Sequence, residues 1–107
     1  MKGCQITFFT VQDHRHKGRP VGEWLVHLAR EMGLRGATLV GGGEGFGRHH
    51  RLHSAHFFEL ADQPIEIVMV ISEEEDKRLL ERLRTEGVRL FYVKTPVEFG
   101  VLGEDVP

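Results

Sequence analysis

One stretch of this sequence, Gly41 to His53, concentrates the residue types that bind anions. Five of its first seven residues are glycines, and two arginines and three histidines follow within the next six. Glycine lets a ligand approach backbone N–H groups closely, and the guanidinium groups of Arg48 and Arg51 can donate charge-assisted hydrogen bonds to an anion. The stretch is interpreted either as an anion-binding loop or as a plain flexible hairpin, and both interpretations stay open on the residues alone.

Spacing excludes two familiar phosphate-binding loops. No register of Gly41–Gly47 gives the G-x-G-x-x-G pattern of a dinucleotide-binding turn. A Walker A loop that began at Gly42 would need Lys and Ser or Thr after Gly47, but Arg48 and His49 stand there. Neither loop is present, and a more general anion site remains.

The histidines offer a second chemistry. His49, His53 and His56 are spaced by four and three residues, so on a helix they would share one face and could bind zinc or copper. A metal site of this kind is kept as the alternative, and the main prediction has no metal. No Ser or Cys has an evident His partner, and no isolated pair of carboxylates occurs, so the chain is not predicted to be an enzyme.

Composition narrows the function classes further. The formal net charge of −2 gives no bulk attraction to nucleic acid or to anionic membranes. Cys4 is the only cysteine and lies in an apolar run, so a core position in a reducing compartment is expected. The longest apolar run, Ile67–Ile71, is too short to span a bilayer, and no long apolar segment of the kind expected in a signal peptide follows Met1-Lys2. We therefore expect a cytoplasmic protein without membrane insertion.

The elements that must position the glycine stretch can be predicted from periodicity and from turn residues. They follow the order β-α-β-β-α-β, which predicts a ferredoxin-like α+β domain over residues 1–103. Its sheet is expected to be antiparallel, with both helices on one face. An acidic tail follows at 104–107. Gln12–Arg19 is expected to be a solvated loop. The predicted elements are a strand at Cys4–Val11, a helix from Pro20 to Met32, strands at Ala37–Val40 and Ile65–Ile71, a helix behind a Ser72 capping box to Glu86, and a strand at Val88–Val93 ended by Lys94–Pro96.

The strands also suggest a partner for the sheet. Phe8 and Phe9 point to opposite faces, and Ile65–Ile71 is apolar on both faces apart from Glu66. Both faces of the sheet are therefore expected to be buried. Two helices cover only one face, so we expect a homo-oligomer built sheet to sheet. Cover by the C-terminal segment 97–102 is the alternative.

The sequence resembles the PII signalling proteins and, more closely, a small PII-like family of unknown function. The resemblance is carried by Gly33–Leu39, by the run Gly45-Phe46-Gly47-Arg48 with the histidines behind it, by Phe57–Pro64 and by Tyr92–Gly100. It implies a homotrimer with an adenine-nucleotide site between neighbouring subunits. Thr38, Gly45, Phe46, Gly47 and Arg48 would line that site, and Lys94 could reach the phosphates from the next subunit or be a surface lysine at a strand end.

The resemblance also implies a mobile effector loop over residues 49–56, which includes His49, His50, Arg51 and His53. Its partner would be an unidentified protein, with a membrane transporter or a CrcB-type fluoride channel as the candidate. PII proteins have a glycine-rich triphosphate loop where this chain has Arg84–Val88. AMP or ADP is therefore expected rather than ATP with magnesium. The metal alternative corresponds to a trimer like the CutA proteins.

Overall fold

The computed structural model describes residues 1–41, 44–46, 52–54 and 63–103. Within these ranges the predicted β-α-β-β-α-β order is confirmed, with short strand pairs added between the main elements. The elements are β1 Lys2–Val11, β2 Arg15–His16, β3 Arg19–Pro20, α1 Val21–Glu31, β4 Thr38–Gly41, β5 Glu44–Phe46, β6 Leu52–Ser54, β7 Pro64–Ser72, α2 Glu73–Glu86 and β8 Phe91–Glu98.

The main sheet has the antiparallel order β4-β7-β1-β8, so β4 and β8 are its edges. In the register of its centre, Phe8 lies opposite Ile67 on one side and Tyr92 on the other. Alternate residues of β1 and β7 point toward the helices and form the core with them. The fully enclosed side chains are Ile6, Phe8, Val21, Leu25, Ile67, Met69, Ile71 and Leu79.

The second face of the sheet is left open by the single chain. Both faces were expected to be buried, this one against another copy of the chain, and within one chain β1 and β7 alternate between buried and partly exposed residues. Phe8 is 1% exposed while its neighbour Phe9 is 38% exposed. The side chains of this face are nevertheless mostly apolar, which explains why the sequence hides the alternation. We call this surface the open face: it comprises Gly3, Gln5, Thr7, Phe9, Val11, Thr38, Val40, Pro64, Glu66, Val68, Val70, Ser72, Phe91, Val93, Thr95 and Val97.

The two helix termini follow the sequence closely. The Ser72 hydroxyl accepts from the backbone N–H of Glu75 at 3.2 Å, and the Glu75 carboxylate accepts from the N–H of Ser72 at 2.8 Å, which completes the predicted capping box. At the end of α1, Gly33 has φ +72°, and the N–H of Leu34 donates to the carbonyl of Ala29. This is a Schellman motif, and it places the helix stop where Gly33 predicted it.

The prediction for the last strand was wrong at both ends. β8 spans Phe91–Glu98, not Val88–Val93, and Lys94 and Pro96 lie inside it, opposite Ile6 and Cys4 of β1. Because β8 is an edge strand, a proline can be accommodated there, whereas in a central strand its missing N–H would break the ladder. The pairing of β8 with β1 continues through the break expected at Lys94–Pro96, as far as Glu98.

The Gln12–Arg19 segment is more ordered than the predicted solvated loop. β2 and β3 form a tight hairpin whose two turn residues, Lys17 and Gly18, have φ +53° and +77°. Two consecutive positive φ values are the geometry of a type I′ turn. The hairpin matters because it brings two basic side chains, His16 and Lys17, against the end of α2.

No helix in the described part of the chain is long and apolar enough to cross a membrane. The acidic tail 104–107 lies outside the described residues.

Candidate functional site

The glycine stretch is held at one edge of the main sheet. β4 ends at Gly41, and β5 and β6 then pair as a second, two-stranded ribbon. In that ribbon Gly45 lies opposite His53 and Phe46 lies opposite Leu52. Three predicted site residues, Gly45, Phe46 and His53, are therefore brought together at the base of one hairpin.

Six of the predicted site residues lie outside the described part of the chain. Gly47, Arg48, His49, His50 and Arg51 connect β5 to β6 and lie outside the described residues, as does His56. The prediction that Arg48 binds the phosphates, and that residues 49–56 form an effector loop, thus stays a prediction. The pairing of β5 with β6 limits the connection to the five residues 47–51.

The structure does not support the geometry assumed for a histidine metal site. His53 lies in strand β6, so the helical spacing that would place it on one face with His49 and His56 does not hold at this residue. Among the residues that the structure describes, no group of three potential metal ligands comes together. No observation favours the CutA-like alternative.

Thr38 and Lys94 lie on opposite edges of the sheet. Thr38 is exposed in β4 and pairs with Val68 of β7, whereas Lys94 lies in β8 and pairs with Ile6 of β1. Three strand spacings separate the two edges, which is roughly 14 Å at about 4.8 Å per strand. One chain therefore does not bring these two predicted residues together.

The Lys94 side chain has a partner within its own chain. It lies on the helix side of the sheet, where its Nζ donates to Oδ2 of Asp76 at 2.8 Å. This hydrogen bond is the main reason that the pKa of Lys94 is raised above its usual value. The prediction of a surface lysine at a strand end is thus wrong about the position, because Lys94 lies in the middle of β8 and is tied to the first turns of α2.

Asp76 and Lys94 also affect Cys4. The Cys4 thiol is buried, as predicted, and burial is the main cause of its raised pKa, with the Asp76 carboxylate adding to the effect. A raised pKa keeps the thiol neutral and unreactive. The geometry therefore supports a packing role for Cys4.

A hollow that the sequence did not reveal lies where α2 leads into β8. Residues 88–92 line an open hollow of about 420 Å³, and an adjoining cavity of about 180 Å³ reaches under α2. The adjoining cavity has mainly apolar walls and the exposed arginine Arg84; it is lined by Phe8, Leu80, Leu83, Arg84, Val88, Leu90 and Tyr92. Its residues come from β1, from α2 and from the segment that leads into β8, so no single motif in the sequence marked them.

The end of α2 is fixed by a cluster of charges that we call the Glu86 clasp. Oε1 of Glu86 accepts from Nζ of Lys17 at 2.9 Å and from Nε2 of His16 at 3.1 Å, and Oε2 accepts from Nε of Arg82 at 3.2 Å. The His16 ring packs edge-on against Trp24 with 4.3 Å between centroids. Hydrogen bonds from Lys17 and then His16 lower the pKa of Glu86 to about 2. The clasp anchors the helix end immediately before the residues that line the hollow.

Comparison with known proteins gives a family and a fold. Residues 3–97 match the DUF190 family model, described as "Uncharacterized ACR, COG1993". A relative from Aquifex aeolicus (strain VF5), named UPF0166 protein, is 32% identical over 80 residues, which cover 74% of this chain and 76% of the relative.

Solved structures show the same architecture. CPII, a nitrogen regulatory PII-like protein from Thiomonas intermedia K12 solved with ADP, AMP and bicarbonate, superposes with a TM-score of 0.67 at 22% identity, covering 94% of this chain and 91% of that one. The apo form of CPII gives a TM-score of 0.53 at 20% identity, with 91% and 92% covered. These likenesses establish the ferredoxin-like fold of the PII-like proteins.

Proposed function

The chain belongs to the DUF190 family, and on that basis we propose that it is a PII-like regulatory protein that binds an adenine nucleotide, AMP or ADP, where two subunits meet. The observation that carries this proposal is the placement of the candidate site residues at the two edges of one sheet. Thr38 lies in the edge strand β4, which precedes the glycine hairpin in the chain, and the hollow at residues 88–92 lies at the β8 edge. A site that uses both edges forms only between neighbouring copies.

The residues at the two edges suit the two parts of a nucleotide. Apolar walls at Leu90, Phe91 and Tyr92 suit an adenine ring, while Arg89 beside them can meet a phosphate. The backbone N–H groups of residues 45–47 and the Arg48 side chain would supply further donors from the neighbouring chain. CPII, whose fold this chain shares, was solved with ADP and AMP, which supports the choice of ligand.

The open face supports the assembly that the site requires. Phe9, Val40, Phe91 and Val93 are between 38% and 49% exposed, and they lie on the face that neither helix covers. We propose that this face packs against other copies of the chain in a homotrimer. The protein would act without catalysis, in the cytoplasm, by changing which partner it contacts.

Isothermal titration calorimetry tests nucleotide binding directly. AMP and ADP are expected to bind the wild-type protein, with ATP and cyclic AMP weaker, and each titration is repeated with bicarbonate present. Arg48→Ala should weaken binding by about tenfold or more, because the loss of one charge-assisted hydrogen bond amounts to about 1.5–3 kcal/mol. Arg30→Ala, at the exposed end of α1, is the matched control and should bind normally. Failure of all four nucleotides to bind the wild-type protein would contradict the proposal.

The effector loop is tested separately. We propose that the nucleotide orders residues 49–56 for a partner protein, with a CrcB-type fluoride channel as the first candidate. A pull-down of the purified channel should depend on ADP and should be lost in Arg51→Ala without loss of ADP binding. Capture that is equal with and without ADP would contradict this role for the loop.

A further inference from the structure

The hollow at residues 88–92 follows directly after a helix end that the β2–β3 hairpin holds. It begins two residues after Glu86, with only Gly87 between them. Gly87 has φ +71°, and its N–H donates to the carbonyl groups of Leu83 and Arg84, both at 3.1 Å. The placement of the hollow therefore depends on the placement of the last turn of α2.

The end of α2 also forms one wall of the cavity that adjoins the hollow. Three side chains of the helix line this cavity, and the rest of its lining comes from β1 and from the segment after the helix; the three are Leu80, Leu83 and Arg84. Leu83 lies just less than one turn before Glu86. A shift of the helix end would therefore move one wall of the cavity relative to the others.

The β2–β3 hairpin is itself fixed against α1. The carbonyl of His14, just before the hairpin, accepts from the N–H of Val21 at the start of α1 at 2.7 Å. The His16 ring packs edge-on against Trp24 of the same helix, and Trp24 is buried in the core. The Glu86 clasp therefore ties the end of α2 to a part of the fold that is anchored in the core.

We propose that Glu86 is a positioning residue for the nucleotide: it holds the end of α2, and with it the hollow at residues 88–92, in the arrangement that binds the ligand. This inference rests on the proposed function, which gives that hollow to the adenine ring. The Glu86 carboxylate is engaged by Lys17, His16 and Arg82, so it acts through the helix end and not by contact with the ligand. A chain whose hollow is formed only part of the time binds with an affinity reduced by that fraction.

A direct effect of the Glu86 charge would have the opposite sign. A carboxylate near a phosphate site repels the anion, so its removal would strengthen ADP binding if charge alone mattered. Glu86→Gln instead weakens the clasp, because glutamine offers one acceptor oxygen where three donors converge. The variant therefore separates a positioning role from an electrostatic one.

Isothermal titration calorimetry with ADP on Glu86→Gln, on Lys17→Met and on the double variant tests the inference. Each single change should weaken ADP binding by about fivefold or more, as coupling between two sites typically does. The double variant should bind no more weakly than the weaker single variant, because both changes break the same clasp. Glu81→Gln, on the exposed side of α2, is the matched control and should bind as wild type.

Hydrogen exchange of the ligand-free protein, well below the melting temperature of each variant, gives a second readout. The amides of residues 88–92 should exchange about fivefold faster or more in Glu86→Gln than in wild type, because the segment opens locally. The amides of Ile6 and Met69, paired at the centre of the sheet, are the internal reference and should be unchanged. A role in global stability alone would leave the exchange of residues 88–92 and the ADP affinity as in wild type.

The outcomes separate this inference from the proposed function. Equal or tighter ADP binding by Glu86→Gln, additive losses in the double variant, or unchanged exchange at residues 88–92 overturns the positioning role and leaves the nucleotide site standing. A wild-type protein that binds no adenine nucleotide overturns the proposed function and this inference with it.

Discussion

At the scale of single residues, the Glu86 clasp concentrates charged side chains at the end of α2. Three cationic or hydrogen-bonding side chains from two elements converge on one carboxylate that is only 11% exposed. Lys17 owes its place in the clasp to the positive φ values of the β2–β3 turn. The clasp therefore connects the two-residue β2–β3 turn to the end of α2, which is distant from it in the sequence.

Glu86→Gln should lower the melting temperature at pH 7. The pKa of Glu86 falls from its ordinary value of 4.5 to about 2 in the folded protein, so the native state favours the ionised carboxylate. The stability that this gives is complete above about pH 4.5 and is lost as the pH falls toward 2. Melting curves of wild type and variant should therefore converge over that window.

The matched control for this prediction is Glu81→Gln. Glu81 lies on the same helix and pairs with Arg84 at 3.6 Å, but both side chains are more than 70% exposed. Exposed pairs of this kind contribute little. A melting temperature that falls equally in the two variants would contradict the importance given to the clasp.

At the scale of elements, the start of α2 depends on its capping box. Ser72→Ala should destabilise the fold by about 1 kcal/mol, because the N–H of Glu75 loses its acceptor. Thr85→Ala is a suitable comparison, since the Thr85 hydroxyl only donates back to the carbonyl of Glu81 within the helix. Urea unfolding measures both, and an equal loss in the two variants would contradict the cap.

Gly3 marks a close approach between β1 and β7. A Cβ at this position would clash with the carbonyl oxygen of Ile71 and would lie 2.9 Å from the Phe99 ring. Gly3→Ala should therefore cost about 1–3 kcal/mol, as overpacking of a rigid site does. A Cβ at Gly36 meets nothing within 4 Å, so Gly36→Ala should change the free energy of unfolding by less than about 0.5 kcal/mol. A tolerated Gly3→Ala in urea unfolding would show that the strands can separate locally.

The sequence predicted those elements whose signals are local. The capping box and the Gly33 stop lie within a few residues of the termini that they define, and both were confirmed. β8 was misplaced because Pro96 breaks a strand only in the interior of a sheet, and the sequence does not show that β8 is an edge. The β2–β3 hairpin was missed because Lys17 is an unusual residue at positive φ.

The candidate site was predicted only in part for a similar reason. Gly45, Phe46 and His53 meet through one short ribbon, which their nearness along the chain made plausible. The hollow at residues 88–92 and the partner of Lys94 depend on how α2 packs against β8, and that packing is a contact between distant elements. The composition of α2 or of β8 alone does not indicate this packing.

At the scale of the whole molecule, the open face explains why strands that looked buried on both sides are half-exposed in one chain. Val93→Glu should place a charge on this face, where Val93 is now 48% exposed, and should weaken self-association by about tenfold or more. The side chain is not part of the core, so monomer stability should change little. Sedimentation velocity measures the assembly, with Leu102→Glu, outside the sheet, as the control.

Assembly of Val93→Glu at the wild-type concentration would show that copies of the chain meet elsewhere. The assembly through the open face would then be wrong.

A crystal structure of the protein grown with ADP tests the central claim most directly. The account predicts one nucleotide between each pair of neighbouring chains, with its phosphates against residues 45–48 of one chain and its adenine in the hollow at residues 88–92 of the next. A nucleotide bound within a single chain, or chains that associate without their open faces in contact, would contradict it.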